Sequence, residues 1–321
     1  MMSRSASAAT TSAARGTPIP RSARDRSERV VKSVLLSFSL LSIVTTFSIV
    51  AVLGLEAWGF FTGFPDKPGI GILPFFTGTE WSPLLGGEQK FGVLPLVCGT
   101  LLVTVIAGAF ALPIGLVTAI YLSEYAPPRL RVVLKSALEV LAGVPTVVYG
   151  FFALAVITPA LQRVSDAFGT YNALSAGLAV GIMILPIVCS LSEDALRAVP
   201  QSLRDGSSAL GGTKFDTSVK VVLPAALSGI MASFLLALTR AIGETMIVAL
   251  AAGGLAQMTM NPASQVQTMT GFIVAIFTGD AQANSVEYAS SYAVAATLFI
   301  MTLALTLAGT AILKRFREEY E

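Results

Sequence analysis

The chain has 321 residues, of which 54% are apolar and only 12% charged, with a formal net charge of +2. Soluble domains carry about 25% charged residues, so this composition, with its mean hydropathy of +0.75, points to a polytopic membrane protein with no soluble second domain and no charge-driven affinity for nucleic acid. The chain has no histidine, only two cysteines, no G-x-x-x-x-G-K-[ST] run and no Gly-Lys pair, which excludes a Cys/His metal site, His-based triads and a P-loop ATPase.

Residues 1–32 are rich in Ser, Ala and Arg and predict a disordered cytoplasmic tail rather than a packed element. An organelle transit peptide has similar composition, but here the basic residues lead straight into a membrane span. Ser33 to Leu55 is free of charge and no A-x-A-like site closes it, which argues against a cleaved signal peptide. Five further spans are expected: Phe91 to Ser123, Val140 to Gln162, Ala167 to Ser192, Pro224 to Gly253, and Tyr288 to Leu313. Each is long enough for a hydrocarbon core of about 30 Å, which takes about 20 residues. The short apolar stretch Gly271 to Thr278 reads as an interfacial or re-entrant helix. Cys98 and Cys189 lie inside apolar runs and read as small buried hydrophobes. The expected organisation is therefore a tail (1–32), a first span with its outer loop (33–90), a five-span body (91–315) and a short tail (316–321).

Basic residues set the orientation. Seventeen of the 21 Lys and Arg residues fall on one side of this six-span scheme, three (Lys67, Lys90 and Arg163) on the other, and Arg240 lies within a span. The imbalance predicts both termini and the loop 193–224 in the cytoplasm.

That loop carries Asp205, Gly206 and Ser207, then Gly211, and after a further interval Val221 and Leu223-Pro224. Small residues at 206 and 207 suit a helix that enters a partner's groove. Gly211 and Gly212 suit a sharp turn with positive φ, and Pro224 suits the first turn of the following span. The plainer reading is an ordinary basic loop. In the next span, Arg240 and Glu244 stand four residues apart, the spacing of one helix face. Counting from Pro224, Arg240 is placed about 24 Å along a helix, well inside the membrane. Charges there cost about 2.5–3.5 kcal/mol on insertion scales and lean functional. A guanidinium is shaped to hold phosphate or carboxylate bidentately. Glu244 is expected to pair with Arg240 when no solute is present, or with an arginine of a partner subunit. The competing reading is a structural ion pair that never meets solute. Glu139 reads as a residue reaching back to the interface, and Pro145 and Gly150 as points of bending.

The spacing D-G-S-x3-G-x9-V-x-L-P resembles the EAA loop by which ABC importer permeases dock onto their ATPase, with D-G-S in place of E-A-A and a lower helix propensity at Gly206. YLSEYAPPRLR (Tyr121 to Arg131), LEVLAGVPTVVYGFF (Leu138 to Phe152) and LTRAIGETM (Leu238 to Met246) together resemble the PstC-type permease subunit of the phosphate-specific ABC importer. The related PstA-type subunit shares R-A-I-G-E-T but tends to continue differently; Met246-Ile247-Val248 favours the PstC type. The resemblance implies an all-α fold of six transmembrane helices of the MetI-like permease type. It implies a second, PstA-type permease, two PstB-type ATPase subunits that bind the ATP, and an extracytoplasmic PstS-type phosphate-binding protein, in a bacterial plasma membrane. It associates Arg240 and Glu244 with phosphate passage, and Asp205, Gly206, Ser207, Gly211, Leu223 and Pro224 with ATPase coupling. No cofactor or catalytic group of the chain's own is implied. The alternatives are a permease for sulfate, molybdate or phosphonate, a secondary transporter driven by an ion gradient, which would need no D-G-S loop, and a membrane enzyme, for which the chain lacks a catalytic set.

Overall fold

The structure, a computed structural model, describes residues 21–64, 67–83, 89–279, 282 and 285–315. The first 20 residues of the expected tail and the C-terminal segment 316–321 lie outside the described residues.

Helix α1 runs from Arg21 to Thr62. It begins within the segment expected to be unstructured, because residues 21–32 hold Arg, Glu, Ala and Lys and no Gly or Pro to stop a helix. Contacts divide the chain into two compact units with the boundary after Val52. In the first unit the described side chains from Glu28 to Val50 are all exposed, and the apolar ones suit contact with lipid.

The second unit opens with two small antiparallel pairs. Strand β1 (Gly63–Phe64) pairs with β2 (Lys67–Pro68), and, after helix α2 (Ile72–Thr77), β3 (Trp81–Ser82) pairs with β4 (Lys90–Phe91), setting Trp81 opposite Phe91. Helix α3 (Leu94–Ile120) carries Pro95 in its first turn and ends in a wide π turn, Tyr121–Tyr125. Helix α4 (Pro128–Ala142) stops at Gly143. The third span then starts at Thr146 rather than Val140 and comprises α5 (Thr146–Phe152), a π turn (Ala153–Ile157) and α6 (Thr158–Val164). Pro145 makes this break, since it fixes its own φ and lacks an N–H. Gly150 lies within α5 and admits Leu250, whose Cδ1 would stand 2.8 Å from an added Cβ. Glu139 belongs to α4, outside the span, and is exposed.

The fourth span is helix α7 (Ala173–Ala198), which begins and ends later than expected. Asn172 sets its start, its side-chain oxygen accepting from the Ser175 N–H at 2.7 Å. Residues 193–198 of the expected loop therefore belong to α7. The loop holds α8 (Gln201–Ala209), α9 (Lys214–Asp216), a π turn (Thr217–Val222) and α10 (Leu223–Ala225). The chain then bends by 68° into α11 (Leu227–Ile242). It breaks again before α12 (Met246–Ala251), and continues through α13 (Met269–Thr278) to the final span α14 (Val286–Arg315). Five of these helices are long and apolar enough to cross a membrane, and six spans result when the bent pair counts as one. At ten residues, α13 extends only about 15 Å, too short to cross.

Helices α3, α7, α11 and α12 enclose the main core, which includes Val103, Ala107, Ala176, Val180, Ile184, Ala237 and Ile247. Small residues let the backbones approach: a Cβ on Gly177 would lie 2.5 Å from Ile106. A second cluster of Phe60, Phe75, Trp81, Phe91 and Phe272 closes one end of the bundle. Cys189 is buried; Cys98 is half-buried, its thiol donating to the Thr259 carbonyl at 3.3 Å.

Candidate functional site

The fifth span does not carry Arg240 and Glu244 on one continuous helix. Helix α11 stops at Ile242, with Gly243 at its C-cap. Arg240 lies in the last turn and is exposed. Its position near the free carbonyls of a helix end suits a cation. Glu244 falls in the break and is 7% exposed. Its Oε1 accepts from the backbone N–H groups of Met246 at 3.1 Å and Ile247 at 3.3 Å, so the carboxylate caps the start of α12. The expected Arg240–Glu244 pair is therefore corrected: no ion pair joins them, and among the described residues Arg240 has no carboxylate within 4.0 Å. Helix α11 ends at Gly243, whose φ of −86° is open to any residue, before the i,i+4 register can close.

A buried polar knot fixes the break. The Thr270 hydroxyl donates to the Glu244 carbonyl at 2.7 Å. Thr268 caps α13, accepting from the Gly271 N–H at 3.0 Å. The Thr100 hydroxyl of α3 accepts from the Met269 N–H at 3.0 Å. Each bond satisfies a backbone group that a helix interruption would otherwise leave unpaired in an apolar setting. The outcome is a hydrogen-bonded break that presents a permanently charged guanidinium without an ion-pair partner among the described residues. Such a group is suited to bind an oxyanion through two parallel N–H donors.

The D-G-S segment forms a compact helical turn. Asp205, Gly206 and Ser207 lie in α8, and Asp205 accepts from the Gln201 side chain at 3.0 Å. Gly211 has φ +84°, the left-handed conformation its residue type suggests. Its N–H donates to the Ser208 carbonyl at 3.0 Å. Gly212 is needed for a different reason: a Cβ there would stand 2.8 Å from the Ser207 hydroxyl. Ser207 and Thr217 share a 2.8 Å hydroxyl hydrogen bond that closes α8 onto the following turn. Leu223 is half-buried and Pro224 exposed, both in α10. Leu210 is 92% exposed and Phe215 65%, an apolar tip on a polar loop.

Sequence reasoning missed the charged contacts near this loop, of which that of Arg204 joins it to the bundle. Lys135 of α4 donates to Glu193 at 2.7 Å and to Asp194 at 2.9 Å. These bonds, that to Glu193 foremost, hold the Lys135 pKa above the ordinary lysine value. Glu193 is 1% exposed, and Arg197 stands 3.5 Å from its other oxygen. Arg204 of α8 lies 3.0 Å from Glu124. The available signal was acids and bases at the ends of apolar runs, but local periodicity does not say which of them meet.

Residues 111–318 match the family described as "Binding-protein-dependent transport system inner membrane component". Over 277 residues the chain is 32% identical to the "Probable ABC transporter permease protein YqgH" of Bacillus subtilis, covering 86% of this chain and 87% of that protein. It is 30% identical over 318 residues to the "Phosphate transport system permease protein PstC" of Mesorhizobium japonicum, covering 93% and 95%. Among solved structures, a bacterial ABC transporter involved in import of the acidic polysaccharide alginate aligns with a TM-score of 0.62 at 14% identity, covering 91% of this chain and 99% of that one. The MetNI methionine ABC transporter aligns at 0.56 and 20% identity, covering 70% and 96%; both likenesses speak to fold alone. With its mostly helical MetI-like architecture and this match over most of its length, the chain belongs to the family of binding-protein-dependent transport system inner membrane components, as the permease of an ABC importer.

Proposed function

We propose that this permease is the PstC-type subunit of an ATP-driven phosphate importer. The observation that carries the reading is the guanidinium of Arg240, without an ion-pair partner among the described residues and held at a hydrogen-bonded break within an otherwise apolar span. Relatives named phosphate transport system permeases, matched over 76% and 93% of this chain, support the choice of oxyanion. Glu244 acts beside it by fixing the start of α12, which keeps its own negative charge off Arg240. In this scheme a PstS-type binding protein delivers phosphate when ATP closes a pair of PstB-type ATPase subunits, and hydrolysis resets the pathway. A PstA-type permease supplies its other half. Asp205, Gly206, Ser207 and Gly211 form the surface that meets the ATPase, and Leu223-Pro224 relays that surface into the fifth span. The chain itself makes and breaks no bond.

The distribution of basic residues supports an orientation with both termini and the D-G-S turn in the cytoplasm of a bacterial cell. Cysteines introduced at the exposed positions Thr79 and Thr170 are expected to react with an impermeant thiol reagent added outside, and one at exposed Ser208 to stay unreacted. Ser290 is unsuitable for such labelling because it is fully buried.

The function is tested by radiolabelled phosphate uptake in cells that lack other phosphate importers and express this permease with its partner subunits. Uptake is expected to need ATP hydrolysis and to resist excess sulfate or molybdate. Competition by either oxyanion, or uptake driven by an ion gradient alone, would refute the assignment.

A further inference from the structure

Helix α8 has no fully buried residue; Leu203 packs against the cluster of Leu122, Leu196 and Val199, and polar bonds supply the rest of its grip on the bundle. Among those polar bonds, Arg204 makes the ones to other helices. The Arg204 guanidinium is 16% exposed as a side chain and makes three contacts. Nη1 donates to the Val199 carbonyl at 2.6 Å, and Nη2 donates to the Leu196 carbonyl at 2.8 Å and to Glu124 Oε1 at 3.0 Å. Leu196 and Val199 are the end of α7. Glu124 lies in the π turn that ends α3, and its side chain is 9% exposed.

The π turn is itself braced. Arg131, in the first turns of α4, donates from Nε to the Leu122 carbonyl at 2.6 Å and from Nη2 to the Ser123 carbonyl at 2.9 Å. The Ser123 hydroxyl donates to the same Glu124 oxygen at 2.9 Å. Helix ends leave carbonyls without intrahelical partners, and here arginine side chains from two other elements take them. A guanidinium fork fixes both distance and direction, so a displacement of α8 is handed to the ends of α3 and α7 together.

We propose that Arg204, through Glu124, is the strut that carries movement of α8 into α3 and α7, a positioning residue that couples hydrolysis to transport. The inference rests on the reading of α8 as the element that meets the ATPase.

The experiment uses the full complex and measures phosphate imported per ATP hydrolysed, together with inserted permease and ATPase retained on purification. Arg204→Lys keeps the charge but loses the fork. Glu124→Gln keeps the length but loses the charge, and Glu124→Asp keeps the charge but shortens the reach. Each is expected to insert, to retain the ATPase and to lower the phosphate-per-ATP ratio by about tenfold, the scale of one charge-assisted hydrogen bond. Arg204→Lys with Glu124→Gln is expected to be no worse than the more damaging single change, because both act through one contact. A wild-type ratio in the inserted single variants overturns the proposal. So does a fall in inserted protein with the ratio unchanged, or failure of all three to insert, since either marks a merely structural contact. If the wild-type permease retains no ATPase at all, the docking reading fails first and this inference falls with it.

Discussion

At one end of the α3–α7 pair aromatic rings meet edge to face: Phe60 and Phe75 with centroids 5.8 Å apart, Trp81 and Phe272 at 4.9 Å. At the other end charged side chains meet across different elements, Lys135 with Glu193 at 2.7 Å and Arg204 with Glu124 at 3.0 Å. The 27 residues of α3 keep the two ends about 40 Å apart. Rings contribute mostly through the area they bury, with about 0.5–1.5 kcal/mol more per edge-to-face pair, and losing one strands no charge. Charged pairs depend on both members, because a buried charge that loses its partner costs more than the pair was worth. The first end behaves as a packed closure; the second behaves as a set of conditional links, suited to passing a displacement between helices.

Deleting a ring tests the closure. Phe75 is fully buried, and Phe75→Ala is expected to destabilise the purified complex by about 3–5 kcal/mol, read as a lowered thermal midpoint in detergent. No second change at a neighbouring ring should restore it. A loss below about 1 kcal/mol would mean that the cluster repacks and is not a fixed closure.

Lys135→Met tests the opposite end. It leaves Glu193 buried, with only Arg197 at 3.5 Å, and is expected to cost about 3 kcal/mol, the low end for an orphaned buried charge. Adding Glu193→Met should recover most of that loss. If the double change is as unstable as the single one, the link is not conditional and the contrast between the ends disappears. A smaller effect is expected from Ser207→Ala, which removes the 2.8 Å hydroxyl bond to Thr217. A single neutral hydrogen bond is worth about 1 kcal/mol, so proteolysis within 201–224 should quicken a few-fold while the spans stay intact.

Much of this arrangement is legible in sequence because lipid imposes it. The apolar runs located the spans, and a glycine at position 211 announced a positive φ that the fold adopts at +84°. Pro145 reads as a bend inside a span rather than as the start of one, and the stop at Gly243 is hidden, because the hydropathy of these runs does not change when a helix stops. Spacing therefore put Arg240 and Glu244 on one face, although Gly243 separates them and Glu244 turns to cap α12. The links at the loop end span 80 residues between Glu124 and Arg204 and 58 between Lys135 and Glu193. No local period reports a contact of that range. The bend of 68° before α11 was equally invisible, since Pro224 announces a helix start but no direction.

The central claim is that Arg240 serves the transported anion while Glu244 serves the backbone. The direct measurement is radiolabelled phosphate uptake by Arg240→Gln, normalised to membrane-inserted protein, in cells lacking other phosphate importers. Losing a bidentate charge-assisted contact is expected to lower uptake by about a hundredfold or more at unchanged abundance, with Arg240→Lys impaired to a lesser degree. Near-normal uptake in an inserted Arg240→Gln protein would contradict the claim and remove Arg240 from the phosphate pathway.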